Sequence, residues 1–590
     1  VTIYTSGDIR KYGFRTIGDL LKTVMGFYVS YDRIYQYLGT RGFNLQDDLN
    51  DRFLMLVDGH KINDYYFGQA YIGTDALLDL DLIDKIEIIR GPGSSLYGNN
   101  AFLGIINIIT RNGRDISGAE LSGSVASFQT YSEIGTYGKN FDNGLDIVFS
   151  ASGYKSRGQN LFFKEFDTPE SNNGIAGNGD SDRNRRYFSK IKFNDFTLES
   201  AYVSRTRGMP AAPYNDVFNN PDNKGTDTRS FVELKYDKAL SETWLVMGRA
   251  YYDYYNNAAI FIHPNRDIEK YLATSKLYGS EIKLVNTSID RNKLIFGVEY
   301  DSEDRVTSDS YTYEGSQNSD NRYYNGAVYA QDEFRISDNL LLNAGLRYDY
   351  YKSLHSTLNP RISLIYKPSE NTNIKLIYGT AFRAPSEYET IYGFGKLTPE
   401  TITMYELVVE RHFREFTATF STFVYKVEKI IEWVPDAVNP AILDAINEDT
   451  AHAKGFEFEI SRKLIGSIDG SFSYTYQDNK DSDTRSILTN SPRHLAKLNL
   501  TMPVSKDKIF VSADTQFTSS RKTLQGNYAE GYFMSNLTLY SRNIVKGLEA
   551  SASIYNIFNK KYSDPGLAEN VQDLIEQDGR NFRVKLTYRF

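Results

Sequence analysis

The last nine residues of the chain constrain its fold most. Phe582, Val584, Leu586, Tyr588 and Phe590 alternate with Arg583, Lys585, Thr587 and Arg589. Only an extended strand turns that period of two into one apolar and one polar face. The pattern recurs back to about Leu121. Leu340, Leu342, Ala344, Leu346, Tyr348 and Tyr350 fall on one face, with Leu341, Asn343, Gly345, Arg347 and Asp349 on the other. The runs 374–382, 416–424 and 548–554 repeat it, separated by polar links that are alternately short and long. A soluble β-sandwich and a membrane β-barrel both alternate in this way. They differ in which face meets the surroundings: polar in the sandwich, apolar against lipid in the barrel. Periodicity leaves both open.

Composition narrows the choice. The chain has 590 residues, 41% of them apolar, and 46 are tyrosine, a strand former suited to membrane interfaces. No apolar run reaches the roughly 18 residues of a transmembrane helix. A barrel needs none, because its strands cross with about 10 alternating residues each. There is no cysteine, so disulfides and thiolate metal sites are excluded. A net charge of −8 argues against general nucleic-acid binding. The six histidines, at 60, 263, 355, 412, 452 and 494, never stand at metal-ligand spacing. No G-x-S-x-G or phosphate-binding loop occurs. Neither an enzyme nor a bound cofactor or metal is therefore expected. No secretory leader stands at Val1, so the sequence reads as mature or trimmed.

Residues 1–113 have a different texture. Ile17, Leu20, Leu21 and Val24 give a helical stripe that predicts a helix over 17–25, closed by Gly26. Apolar strands follow at 38–43 and 53–59. Two aromatic loops flank them, Tyr31–Tyr37 before the first and Ile62–Thr74 after the second. The stretch Leu82–Gly113 reads as strand, glycine turn, strand, with Gly91-Pro92-Gly93 and Gly98-Asn99-Asn100 breaking the extended runs.

The residue order of that stretch, I-E-I-I-R-G-P-G-S-S-L-Y-G-N-N-A-F-L-G-I-I-N-I-I-T over 86–110, closely resembles the end of the plug domain of TonB-dependent outer-membrane receptors. Leu38–Phe43 and Phe53–Gly59 are similar to earlier plug elements. Tyr329–Phe334, Gly345–Asp349, Phe382–Pro385, Leu397–Glu400, Tyr405–Leu407, Gly455–Glu457 and Tyr555–Tyr562 are similar to the family's barrel, and a C-terminal phenylalanine is the address such barrels carry. The resemblance implies a transmembrane β-barrel of about 22 antiparallel strands with an N-terminal α+β plug domain inside its lumen. The plug would occupy 1–117 and the barrel 118–590. Roughly 470 barrel residues over 22 strands leave about 21 for each strand and its link, which suits short periplasmic turns and long outer loops. Polar stretches such as 155–187, 205–229, 255–275, 303–323, 384–400 and 433–453 would be those loops.

The implied function is TonB-dependent active import of a scarce large solute across the Gram-negative outer membrane, by a monomer in outer-membrane lipid. The partner would be the inner-membrane TonB complex, which pulls on a TonB box expected upstream of Val1. An iron–siderophore complex is the commonest solute of the family. A cobalamin or other corrinoid is the runner-up, and a glycan comes third. Haem is disfavoured, since Ser386–Pro399 holds no histidine and Gly395-Lys396-Leu397 departs from the family's segment. In such receptors the solute rests on the plug's upper loops. Here that implies Tyr31, Tyr35, Gln36, Tyr37, Asn63, Tyr65, Tyr66, Phe67, Gln69 and Tyr71, although any of these tyrosines could instead pack the plug against the wall. Strand phase turns Glu406 and Glu457 into the lumen. The family's plug latch then implies that they hold Arg41 and Arg90.

Overall fold

The structure is a computed structural model. It describes residues 1–590 except 46–47, 178, 265–266, 313–314, 353, 355, 394–396, 436–442, 466–467 and 506–507. His355, Gly395, Lys396 and the middle of the stretch 433–453 thus lie outside the described residues.

In chain order the N-terminal part runs β1 (Thr2–Thr5), α1 (Ser6–Tyr12), α2 (Ile17–Leu21), β2 (Phe27–Tyr31), β3 (Gln36–Thr40), β4 (Phe53–Val57), β5 (His60–Lys61), β6 (Ile83–Arg90), α3 (Ser94–Tyr97) and β7 (Gly104–Thr110). Five strands form one sheet in the order β1-β6-β7-β4-β5, with β4 parallel to β7, and β2–β3 is a separate hairpin. β6 and β7 pair antiparallel, and Ile86, Ile88 and Ile106 are fully buried between the sheet and the helices. Gly91 and Gly98 take φ of +85° and +75° at the two breaks, where a side chain would be strained. The helical turn α3 lies between them and has no periodic signal in the sequence.

The helix expected over 17–25 ends at Leu21. Beyond it, Thr23 and Val24 donate their N–H groups to Leu20 and Leu21, three residues back, which tightens the turn. Lys497, from the surrounding wall, donates Nζ to the freed carbonyls of Lys22, Val24 and Phe27. The cap comes from a residue hundreds of positions away, so no local pattern could announce it.

Around this domain 22 strands form a closed antiparallel barrel. It closes where Asn581–Arg589 pairs with β8 (Gly118–Ala126), from Arg583 opposite Ala126 to Arg589 opposite Glu120. The connections at the end where Asn581–Arg589 finishes are short, as at 194–195, 338–339 and 370–371. Those at the opposite end include 209–223, 384–399, 482–493 and 556–580. That asymmetry marks the long-loop end as extracellular. The alternation predicted for the last strand is seen directly. Phe582, Val584, Leu586, Tyr588 and Phe590 are exposed on the outside, whereas Arg583, Lys585 and Thr587 turn inward. With a filled lumen, that outer apolar face is the lipid face.

Three expected loops are something else. The described residues of 433–453 belong to the strands Thr417–Pro435 and Leu443–Ile465, paired to Pro435 opposite Leu443. The stretch 255–275 belongs to the strands Trp244–Ile262 and Ile268–Asn286, which stay paired to Ile262 opposite Ile268. The stretch 303–323 belongs to Asn292–Thr312 and Gly315–Ser337, paired to Thr312 opposite Gly315. Strands of 19 to 23 residues extend about 60–75 Å at roughly 3.3 Å per residue, far beyond the lipid. Apolar alternation stops where lipid stops, but the backbone goes on satisfying its hydrogen bonds in a two-stranded ribbon. The sequence marks the first boundary and not the second.

Candidate solute-binding site and plug contacts

Arg41, Arg90, Glu406 and Glu457 meet at one point of the plug–wall interface. Arg41 follows β3, Arg90 ends β6, and the two glutamates stand on the strands Glu400–His412 and Leu443–Ile465. Arg41 donates Nη2 to Glu406 Oε1 at 2.5 Å and to Glu457 Oε2 at 3.1 Å, and Nη1 to the Tyr425 hydroxyl. Arg90 donates Nη1 to Glu457 Oε2 at 2.9 Å, where Ser421 Oγ also donates. The Arg41 guanidinium lies 4.4 Å from the Phe423 ring centroid, so its planar face is covered as well. Arg41 is 1% exposed and Glu457 0%. A Cβ at Gly26, whose φ is +79°, would come within 2.2 Å of Glu457 Oε1. Only glycine lets the plug backbone approach the carboxylate this closely.

The two aromatic loops lie at the extracellular end of the plug, each folded around an aspartate. The Asp32 carboxylate accepts the N–H groups of Ile34 and Tyr35 and the Tyr37 hydroxyl. The Asp64 carboxylate accepts those of Tyr66, Phe67 and Gln69. Burial pushes the Asp64 carboxyl up to about 6, although Arg229 and these three donors pull it down. Asn63 is spent on structure: it accepts from Met55 N–H and donates to the carbonyls of Phe53 and Gly68.

The ten residues implied as solute ligands divide into two groups. Tyr37, Asn63, Tyr66, Gln69 and Tyr71 are buried, whereas Tyr31, Tyr35, Gln36, Tyr65 and Phe67 are partly exposed. They do not share one surface. Tyr31 and Gln36 line a lumenal cavity of about 280 Å³ beside α1 and β8. Arg207 donates to the Tyr31 hydroxyl there at 2.8 Å. Tyr65 lines a smaller cavity of about 110 Å³ with Asp301 and Glu303. Tyr35, Tyr66, Phe67 and Tyr71 form a continuous aromatic floor with Tyr255, Tyr271, Tyr323 and Tyr388 of the barrel. Tyr271 donates its hydroxyl to that of Tyr66 at 2.7 Å, and Tyr71 to that of Tyr255 at 3.0 Å. Phe67 and Trp433 each stand 5.2 Å from the Tyr388 ring. The barrel half of this floor was not anticipated. The signal was available, since Tyr255 and Tyr271 have the inward phase of their ribbon.

Sequence reasoning also missed further buried charges between plug and wall. His60, in β5, holds Glu233 at 3.1 Å and Asp253 at 2.9 Å. Arg52, just before β4, donates Nε and Nη2 to the two oxygens of Glu400 at 2.9 and 2.6 Å. Arg383, 1% exposed, donates to Asp51, Glu389 and Glu400 together. The rule that found Glu406, a charge in the inward phase of an alternating strand, applies equally to Arg383 and Glu400. Among the described residues no group of three His, Cys, Asp or Glu side chains is arranged to hold a metal.

Residues 1–105 match the family model described as TonB-dependent Receptor Plug Domain, and residues 162–557 match TonB dependent receptor-like, beta-barrel. The vitamin B12 transporter BtuB of Vibrio vulnificus is 24% identical over 616 residues, covering 100% of this chain and 92% of that protein. The iron-regulated outer membrane virulence protein of Vibrio cholerae is 23% identical over 641 residues, again covering 100% and 92%. The solved ferric enterobactin receptor PfeA of Pseudomonas aeruginosa superposes with a TM-score of 0.83 at 17% identity, covering 100% of this chain and 99% of that one. That likeness is one of fold. With both domain models matched and a plugged barrel of 22 strands, the chain belongs to the TonB-dependent receptors, transport proteins of the Gram-negative outer membrane.

Proposed function

We propose that this receptor imports an iron–siderophore complex, held on the aromatic floor at the extracellular end of the plug. The observation that carries the reading is the floor itself, with Phe67, Tyr35, Tyr271, Tyr323 and Tyr388 partly exposed on it. Such rings give large contact area at low entropy cost and suit a ring-bearing or planar chelate. The buried members Tyr37, Asn63, Tyr66, Gln69 and Tyr71 hold the loops in shape, and Tyr31, Gln36 and Tyr65 border the adjoining cavities. In this reading the plug is residues 1–117 and the barrel 118–590. Arg41, Arg90, Glu406 and Glu457 keep the plug seated, and the TonB complex of the inner membrane supplies the energy to a monomer. A corrinoid is the second reading, favoured by the whole-length similarity to a vitamin B12 transporter.

Trp433 provides the test. The chain has two tryptophans, and the other, Trp244, begins its strand at the periplasmic end. In a Trp244→Phe background, fluorescence reports the floor alone. A ferric trihydroxamate, a ferric tricatecholate and cyanocobalamin are titrated in turn. The expected result is saturable quenching by a ferric chelate, with affinity lowered about 5- to 150-fold in Phe67→Ala and Tyr388→Ala, about 1–3 kcal/mol. Saturable quenching by cyanocobalamin alone would replace iron by a corrinoid. Unchanged affinity in both variants would remove the floor as the site.

A further inference from the structure

The segment that brings Tyr388 to the floor meets the plug at Tyr66, at Asn99 and through one buried cation, Arg383. Residues 384–399 join the strands Thr372–Arg383 and Glu400–His412, and carry a short helix, Glu387–Tyr392. Ser386 caps that helix and Glu389 completes a capping box. Tyr388 reaches the floor, packing on Phe67 and donating its backbone N–H to Tyr66 O at 3.0 Å. The next residue, Glu389, faces Arg383. Its two oxygens accept from Arg383 Nη1 at 2.8 Å and Nη2 at 2.9 Å. Adjacent residues of one helix therefore hold the candidate solute surface and the buried cation.

Arg383 has two further partners. Nη1 donates to Asp51 Oδ2 at 2.6 Å and Nη2 to Glu400 Oε1 at 2.7 Å. Glu400 also holds Arg52, whose Nη1 lies 2.9 Å from Asp48 Oδ2. Asp51 and Arg52 lead directly into β4 of the plug sheet, and the Arg52 carbonyl accepts from Leu103, at the entry to β7. Four carboxylates thus share two guanidinium groups. That surplus gives the network a movable arm. A buried cation with one partner cannot release it cheaply, but Arg383 can release one of three and stay paired. Glu389 is the arm best placed to move: its side chain is 11% exposed against 0% for Glu400, and it stands on a loop.

We propose that Arg383 is a positioning residue that couples the helix Glu387–Tyr392 to the plug, with Glu389 as the releasable arm and Asp51 as the arm that reaches β4. Movement of the helix as Tyr388 closes on a solute shifts Glu389. Arg383 then redistributes toward Asp51 and Glu400, which resets the segment 48–52 at the head of the plug sheet. The proposal uses the aromatic floor of the preceding reading but not the identity of the solute.

Glu389→Gln is the discriminating variant, because glutamine preserves the capping box and removes the charge that Arg383 senses. The first measurement needs no solute: hydrogen exchange of the plug peptide spanning 48–57 in the full-length receptor. Glu389→Gln is expected to change that exchange at least threefold, because Arg383 then redistributes toward Asp51 and Glu400. Tyr388→Ala is expected to change it in the wild-type background but to add nothing in Glu389→Gln. The second is uptake by cells of whichever of the ferric trihydroxamate, the ferric tricatecholate and cyanocobalamin saturates the Trp433 signal, in labelled form. Glu389→Gln is expected to lower the maximal rate about tenfold with surface affinity within twofold of wild type, and Glu389→Asp to restore most of the rate. An equal effect of Tyr388→Ala on exchange in both backgrounds would overturn the coupling. So would exchange in Glu389→Gln equal to that of the wild type. Loss of affinity in proportion to rate would make Glu389 a binding residue and overturn it as well.

Discussion

Glu457 shows how much of the site one residue can carry. It is fully buried and accepts from Arg41, Arg90 and Ser421 through one oxygen. Removing one partner of a buried ion pair leaves an uncompensated charge and costs about 3–5 kcal/mol, whereas removing both costs less. Glu457→Ala should therefore loosen the plug and admit large antibiotics, and Arg90→Ala added to it should cost less than the sum of the single changes. A double-mutant cycle on plug unfolding checks this, and strict additivity would mean the pair does not act together. Glu406 and Glu457 were legible because strand phase and family position coincided, and Arg41 and Arg90 through family position alone. His60 had neither, lying in a two-residue strand whose partners Glu233 and Asp253 are about 170 and 190 residues away.

His60 also makes a pH prediction. Burial by itself would lower its pKa, but the carboxylates of Asp253 and Glu233 outweigh burial and hold the imidazole at about 9. Its ordinary value is about 6.5. A folded-state pKa above the unfolded one gives stability that is complete below pH 6.5 and is lost as pH rises through 9. The difference is on the order of 3 kcal/mol. Denaturant titrations of the plug at pH 6, 7.5 and 9 should show that decline, and His60→Gln should flatten it. An equal slope in the variant would assign the effect to other groups.

At the scale of elements, the barrel strands were legible wherever one face meets lipid. Leu586 is 53% exposed within a strand whose neighbours turn inward. Arginine there should cost about 2–4 kcal/mol if the site lies near the bilayer midplane. Folding into lipid vesicles, followed by heat-modifiable gel mobility, measures this, and wild-type folding of Leu586→Arg would contradict a lipid-facing Leu586. The alternation lost its meaning above the membrane, where polar residues on both faces of Asn292–Thr312 and Gly315–Ser337 look like loop and pair as ribbon. The helical stripe overran α2, whose end is set by Lys497 rather than by its own sequence.

At the scale of the whole molecule, the barrel is a wall and the plug decides what passes. The plug core runs without a break into the wall, from Phe27, Phe53 and Ile106 to Phe231, Phe423 and Val427. Buried ion pairs tie the two together on several sides, through Arg41, Arg52, His60 and Asp81. Passing a solute large enough to cover the aromatic floor through this packed body requires work on the plug, whereas binding does not. The most direct measurement compares surface binding and uptake, in cells with and without a protonophore, of whichever labelled solute saturates the Trp433 signal. Active import predicts unchanged binding and abolished uptake once the proton gradient collapses. Uptake that continues at its original rate would contradict it and make the protein a passive pore.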